Sequence, residues 1–202
     1  MTISAAYQGE PGAFSEMAII ARCGSEVVPV PCRSFDDVIA AVENGRAELG
    51  FLPTENSIAG AVTESVRAIK ASSLVVLRST TLEIHLALLA LPGSTLAILR
   101  SVESHPVALR QCGGFLRAHP NLVPRQSHDT AGAAREVAAS GDRSRGAIAS
   151  ARAAELNGLI SLAEGLEDQT DNVTQFAIVA RAASRTLLSA LDGRTPTANL
   201  ER

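Results

Sequence analysis

Leu49-Gly50-Phe51-Leu52-Pro53-Thr54-Glu55-Asn56-Ser57-Ile58-Ala59-Gly60 joins an apolar run to a cluster of polar side chains. Leu49 to Leu52 reads as a short buried strand ending at Pro53, and Val62, Val66 and Ile69 then recur at helical spacing. Strand, polar junction and helix follow one another within about twenty residues, the rhythm of an α/β protein. The same rhythm extends in both directions. Upstream lie strands at Ile3 to Tyr7 and Val27 to Val30. Helical stripes start at Phe14 and at Phe35, the second opened by Ser34 with Asp37 and stopped at Asn44-Gly45.

Downstream, strands are expected at Leu74 to Leu77, Leu82 to Leu91, Leu96 to Val102, Leu122 to Arg125, Gly146 to Ala149 and Val173 to Val179. Helices are expected at Pro106 to Arg117, Thr130 to Ala139 and Ala151 to Leu156. Such alternation predicts largely parallel sheets, in which ligands sit beyond the carboxyl ends of the strands. Polar residues cluster at those ends: Thr54 to Ser57, Ser104-His105-Pro106, Ser127 to Thr130, and Ser150. Each junction offers free backbone N–H groups and the positive end of a helix dipole, as ordinary caps or as parts of an anion-binding cleft.

With 202 residues, 46% hydrophobic and 19% charged, the chain reads as soluble and globular. The richest apolar run is interrupted by Glu83 and His85, and no secretory signal opens the chain, so a cytoplasmic protein without membrane spans is expected. A formal charge of −3 and dispersed basic residues argue against a nucleic-acid surface. Cys23, Cys32 and Cys112 lack metal-ligand spacing, and Lys70 is the only lysine, so anions would be held by arginines, hydroxyls and amides. Glu164, Glu167, Asp168 and Asp171 read as a solvated acidic loop rather than a metal cluster.

Several motifs resemble the prephenate and arogenate dehydratase family. Ala6 to Glu16 is similar to its opening segment, and Pro53 to Gly60 to its "P-x-E-N-S-x-x-G" motif. Ser104-His105-Pro106 with Gln111-Cys112, Asp129 to Ala134 and Gly146 to Ser150 follow in the family's order. Asn172-Val173-Thr174-Gln175-Phe176 falls where the family carries "N-x-T-R-F". The resemblance implies two Rossmann-like lobes, similar to a type II periplasmic binding protein, with the active site between them. Residues 1–79 plus 171–190 would form one lobe, 80–170 the other, and 191–202 a polar tail with no phenylalanine-sensing ACT domain. The chain would cross between lobes near Ser79 and near Asp171.

On this resemblance the reaction is the loss of carbon dioxide and hydroxide from prephenate to give phenylpyruvate, with no metal or coenzyme and a homodimer as the assembly. Thr174 would donate the proton to the leaving hydroxyl. Asn56, Ser104 and Gln111 would complete the catalytic set, while Thr54, Glu55, Ser57, Thr130, Gly132, Gln175 and Phe176 would bind substrate. His105 would orient a helix start. Gln175 departs from the family's arginine and lacks the charge for a bidentate grip on a carboxylate, although strand alternation turns it away from Thr174. Three other readings remain open: arogenate dehydratase, a non-aromatising prephenate decarboxylase, and a catalytically silent small-anion-binding module.

Overall fold

The computed structural model describes residues 3–24 and 27–184; the tail expected at 191–202 lies outside them. In chain order the elements are β1 (Ile3–Gln8), α1 (Phe14–Cys23), β2 (Val27–Cys32), α2 (Phe35–Glu43), β3 (Leu49–Asn56), β4 (Gly60–Ala61), α3 (Thr63–Ala71) and β5 (Val75–Glu83). There follow β6 (Ala87–Ala90), β7 (Ser101–Ser104), α4 (Pro106–Gln111), α5 (Gly113–Ala118), β8 (Val123–Gln126), α6 (Thr130–Ser140), β9 (Arg145–Ala149), α7 (Ala151–Asn157), β10 (Ile160–Ala163) and β11 (Val173–Ala180). Two sheets result, one ordered β2-β1-β3-β11-β5 with β4 beside β3, the other β10-β6-β9-β7-β8. The expected two-lobed α/β architecture is therefore present.

The expectation of largely parallel sheets is corrected to mixed ones. Strands β1, β2 and β3 run parallel, as do β7, β8 and β9, but β11 is antiparallel to both β3 and β5, and β6 to both β9 and β10. The cause is connectivity. A strand arriving from the other sheet enters at the cleft end, where the parallel strands finish, and must run back against them. Accordingly Thr174, the second residue of β11, lies opposite Asn56, the last residue of β3, and β6 starts with Ala87 opposite Ala149, the last residue of β9. This geometry brings two residues 118 positions apart to one point.

The single strand expected over Leu82 to Leu91 is two strands in different sheets. Strand β5 pairs with β11 as far as Glu83, so the first passage lies at residues 84–86, beyond Ser79. There the Ile84 N–H donates to the Asn172 carbonyl (2.8 Å) and the Leu86 N–H to the Glu167 carboxylate (2.9 Å). The run from Leu96 begins instead as a turn closed by the Thr95 carbonyl, with Ile98 exposed, and becomes strand only at Ser101. The long helix expected from Pro106 breaks at Cys112. The Gly114 N–H there donates to the Asp168 carboxylate (2.8 Å), which occupies the space a side chain at 114 would need.

Helix starts follow the expected chemistry. Ser34 caps α2 through the Asp37 N–H, Asp129 caps α6 through Gly132, and Ser150 caps α7 through Ala153. An apolar cluster runs between the sheets, with Tyr7, Phe51, Phe176 and Ile178 from the first meeting Leu89, Ala131, Ala134, Ala149 and Ala153 from the second. Alanines dominate the second side and let the backbones approach closely. Gly12, at φ +92°, completes that approach, since a Cβ there would sit 2.7 Å from the Ala153 Cα. The three cysteines are buried and free, and among the described residues no helix is long and apolar enough to cross a membrane.

Candidate functional site

At the cleft end of the first sheet, four polar side chains form one network. The backbone N–H groups of Ile58 (3.1 Å) and Ala59 (2.8 Å) both donate to Asn56 Oδ1, which identifies that atom as the oxygen. Asn56 Nδ2 is therefore the donor, directed at Asn172 Oδ1 (2.7 Å), Thr174 Oγ1 (3.0 Å) and, more distantly, the Val173 carbonyl (3.3 Å). Gln111 reaches in from α4 on the second sheet's side. Its Nε2 donates to Asn56 Oδ1 (3.2 Å) and lies 3.5 Å from Asn172 Oδ1.

The polarity matters chemically. Thr174 Oγ1 accepts a hydrogen bond from Asn56, so its own proton is free to point elsewhere. An N–H on the oxygen also favours the alkoxide over the neutral hydroxyl, which makes this threonine a better proton donor than an unsupported one. Asn56, Gln111 and Thr174 are each 9% exposed, enough shelter to strengthen these interactions while leaving an edge toward the cleft.

Three of the four residues expected to be catalytic are thus brought together. Ser104 is not among them. It is fully buried, and its hydroxyl donates to the Ile148 carbonyl (2.6 Å), tying β7 to β9 with no surface left for a ligand. Phe176 is likewise a core side chain, 1% exposed between the sheets, not a substrate contact. The Ser57 hydroxyl donates to the Asp171 carbonyl (2.6 Å) and accepts from the Val173 N–H (2.9 Å), so it clamps the second passage between the sheets. Thr54 Oγ1 donates to the Gln175 carbonyl (3.2 Å) and fastens β3 to β11.

Gly132 does not offer a free donor, because its N–H is already held by the Asp129 carboxylate. Thr130 opens α6 and is half-buried. Glu55 and Gln175 face each other across strands and are both exposed, on the opposite side of β11 from Thr174. The structure therefore separates Gln175 from the Asn56 network.

The acidic segment before β11 is only partly solvated. Glu167, its side chain 5% exposed, holds the Leu86 N–H and His85, while Asp168 holds Gly114. Among the described residues no group of three or more His, Cys, Asp or Glu is arranged to hold a metal. Sequence reasoning left Glu10 and Gly12 without a role, yet both join the sheets' helices to the first loop. Glu10 makes a bidentate pair with Arg135 of α6, and the Gly12 carbonyl accepts from the Ser150 hydroxyl (2.6 Å). No spacing signal could have indicated these contacts, because each depends on how the two sheets meet.

His105 caps α4 as expected, its Nδ1 accepting from the Val107 N–H (3.2 Å). Burial first, then the neighbouring Arg110, holds the imidazole below its ordinary value, and protonation of Nδ1 would break the cap. A histidine harder to protonate folded than unfolded supplies stability that is complete above about pH 6.5 and lost as pH falls below it. His105→Asn keeps a capping oxygen without the titration. Thermal melts between about pH 7 and pH 5 should therefore decline less steeply in the variant than in the parent chain.

The family model described as Prephenate dehydratase matches residues 5–184. A bifunctional N-acyl-homoserine lactone acylase/prephenate dehydratase of Komagataeibacter europaeus is 43% identical over 177 residues, 87% of this chain and 62% of that protein. Arogenate dehydratase 1 of Petunia hybrida is 41% identical over 181 residues, covering 89% of this chain and 42% of its own length. The crystal structure of prephenate dehydratase in complex with L-Phe from Arthrobacter aurescens superposes with a TM-score of 0.82 at 28% identity, over 89% of this chain and 60% of that one. A structure described as a novel type of quorum quenching acylase gives a TM-score of 0.80 at 40% identity, over 88% of this chain and 64% of that one. The match runs from β1 through β11 and takes in the whole Asn56 network, so the chain belongs to the prephenate dehydratase family.

Proposed function

We propose that this chain converts prephenate to phenylpyruvate, with Thr174 as the proton donor to the departing hydroxyl. The observation that carries the reading is the hydrogen bond from Asn56 Nδ2 to Thr174 Oγ1, which frees the hydroxyl proton for the substrate. Prephenate carries a ring carboxylate and, at the opposite ring carbon, a hydroxyl. As the bond to the carboxylate breaks, its electron pair moves into the ring, the opposite C–O bond breaks, and the oxygen leaves as water with the proton from Thr174. Carbon dioxide and an aromatic ring are the other products. Asn56 stabilises the threonine oxygen until solvent returns a proton. The large thermodynamic drive belongs to the ring, so orientation and one proton suffice. Thr130, at the start of α6, is proposed to meet a substrate carboxylate.

Arogenate differs from prephenate at the side chain, remote from the leaving hydroxyl, and the plant relatives are named for it. The direct test compares kcat/KM for prephenate and arogenate on the same preparation. We expect prephenate to be preferred at least about tenfold; an equal or reversed ratio would reassign the substrate while leaving the chemistry intact. Hydrolysis of an N-acyl-homoserine lactone, an activity in the name of the Komagataeibacter relative, belongs in the same assay series.

Gln175 lies beside Glu55 and away from Thr174, so restoring an arginine should act mainly across the strands. Gln175→Arg is expected to leave kcat within about threefold and to shift Tm upward by no more than a few degrees. A gain in kcat/KM of about a hundredfold would show instead that position 175 reaches the substrate.

A further inference from the structure

We infer that Asn172 is a positioning residue for the dehydration, setting the direction of the Asn56 amide and through it the proton of Thr174. The inference rests on the dehydratase reading proposed above. Asn172 lies on the second passage between the sheets and is 2% exposed. Its Oδ1 lies 2.7 Å from Asn56 Nδ2 and 3.5 Å from Gln111 Nε2, and its carbonyl accepts from the Ile84 N–H of the first passage. Its Nδ2 is buried with no partner.

That unpartnered N–H is the informative feature. A buried amide donor left alone is unfavourable, and turning the amide over would not relieve it. Flipped, Asn172 would aim its N–H at two donors, Asn56 Nδ2 and Gln111 Nε2, whose polarity follows from the backbone N–H groups on Asn56 Oδ1. The acceptor oxygen is therefore the part of Asn172 that the site uses. Asn56 Nδ2 has two hydrogens and three acceptors within 3.3 Å. With one hydrogen held by Asn172, the other is turned onto Thr174. Without Asn172 the amide would be free to settle between Val173 and Thr174, and the threonine hydroxyl would lose its fixed direction. Gln111 on the same oxygen makes that direction depend on the approach of the two sheets.

The test is kinetic, on the intact chain, with Asn172→Ala, Thr174→Ala and the double variant assayed on prephenate. Asn172→Ala should lower kcat about thirtyfold with KM within about threefold. In the Thr174→Ala background the same change should cost less than about threefold, because its effect passes through Thr174. Asn172→Asp keeps an acceptor oxygen for Asn56 and Gln111 and replaces the unpartnered donor with a second carboxylate oxygen, whose charge those two donors face, so its kcat should stay within about fivefold of the parent. Should Asn172→Ala not fold, Asn172→Ser, whose hydroxyl is too short to reach both donors, is read in its place. A parental kcat in Asn172→Ala, full additivity with Thr174→Ala, or an Asp variant as impaired as the Ala variant would each overturn the inference. A parent chain inactive on both prephenate and arogenate would instead remove the dehydratase reading, and this inference with it.

Discussion

Thr174→Ala is expected to lower kcat for phenylpyruvate formation by about a thousandfold, within the range for removing a positioned proton donor. Folding should be nearly untouched. The methyl group lost is small, the site is at the edge of the cleft, and Asn56 Nδ2 keeps acceptors in Asn172 Oδ1 (2.7 Å) and the Val173 carbonyl (3.3 Å). A Tm within a few degrees of the parent is therefore expected, from differential scanning calorimetry on the same samples. Thr174→Ser restores the hydroxyl without the β-branch that fixes its rotamer and should recover activity to within about tenfold. If KM rises while kcat holds, Thr174 binds substrate without transferring a proton.

The second large effect is expected at Asn56, where two substitutions separate structure from chemistry. Asn56→Ala removes the acceptor for Ile58, Ala59 and Gln111 as well as the donor to Thr174, and should cost both stability and about a hundredfold or more in kcat. Asn56→Asp has the same shape and keeps an oxygen for the two backbone N–H groups. Its second oxygen would accept from Thr174 instead of donating to it, turning the catalytic proton away from the cleft. We expect Asn56→Asp to fold, with a Tm much closer to the parent than the Ala variant, yet to lose about a hundredfold in kcat. A well-folded Asp variant with parental kcat would remove the polarity argument on which the proposed mechanism stands.

Much of this architecture was legible because local signals were strong. Ser34 caps the helix it was expected to open, Asp129 and Ser150 cap helices at junctions already marked by their polar residues, and the apolar run before Ser150 is a buried strand. The largest errors, those of strand extent and direction, share one physical cause. Pairing between distant segments depends on where the chain passes from one sheet to the other, and composition does not encode that point. Leu82 to Leu91 looks like one strand because both halves are apolar, yet the Asn172 carbonyl and the Glu167 carboxylate take its N–H groups at the passage and split it. The antiparallel entry of β11 was invisible for the same reason.

Motif resemblance fared similarly at the site. It selected Asn56, Gln111 and Thr174, which converge, and also Ser104, Gly132 and Phe176, which serve the sheet, a helix cap and the core. A motif marks residues that belong together in a family without saying which are wet. Asn172 was part of a quoted motif, but its buried, unpartnered amide is a property of three dimensions only.

The measurement that tests the central claim most directly is product-resolved turnover of prephenate by the intact chain, with Thr174→Ala alongside. Phenylpyruvate, carbon dioxide and water are expected from the parent, with aromatic product nearly absent from the variant. Release of carbon dioxide with a non-aromatic product, or equal phenylpyruvate from both proteins, would contradict it.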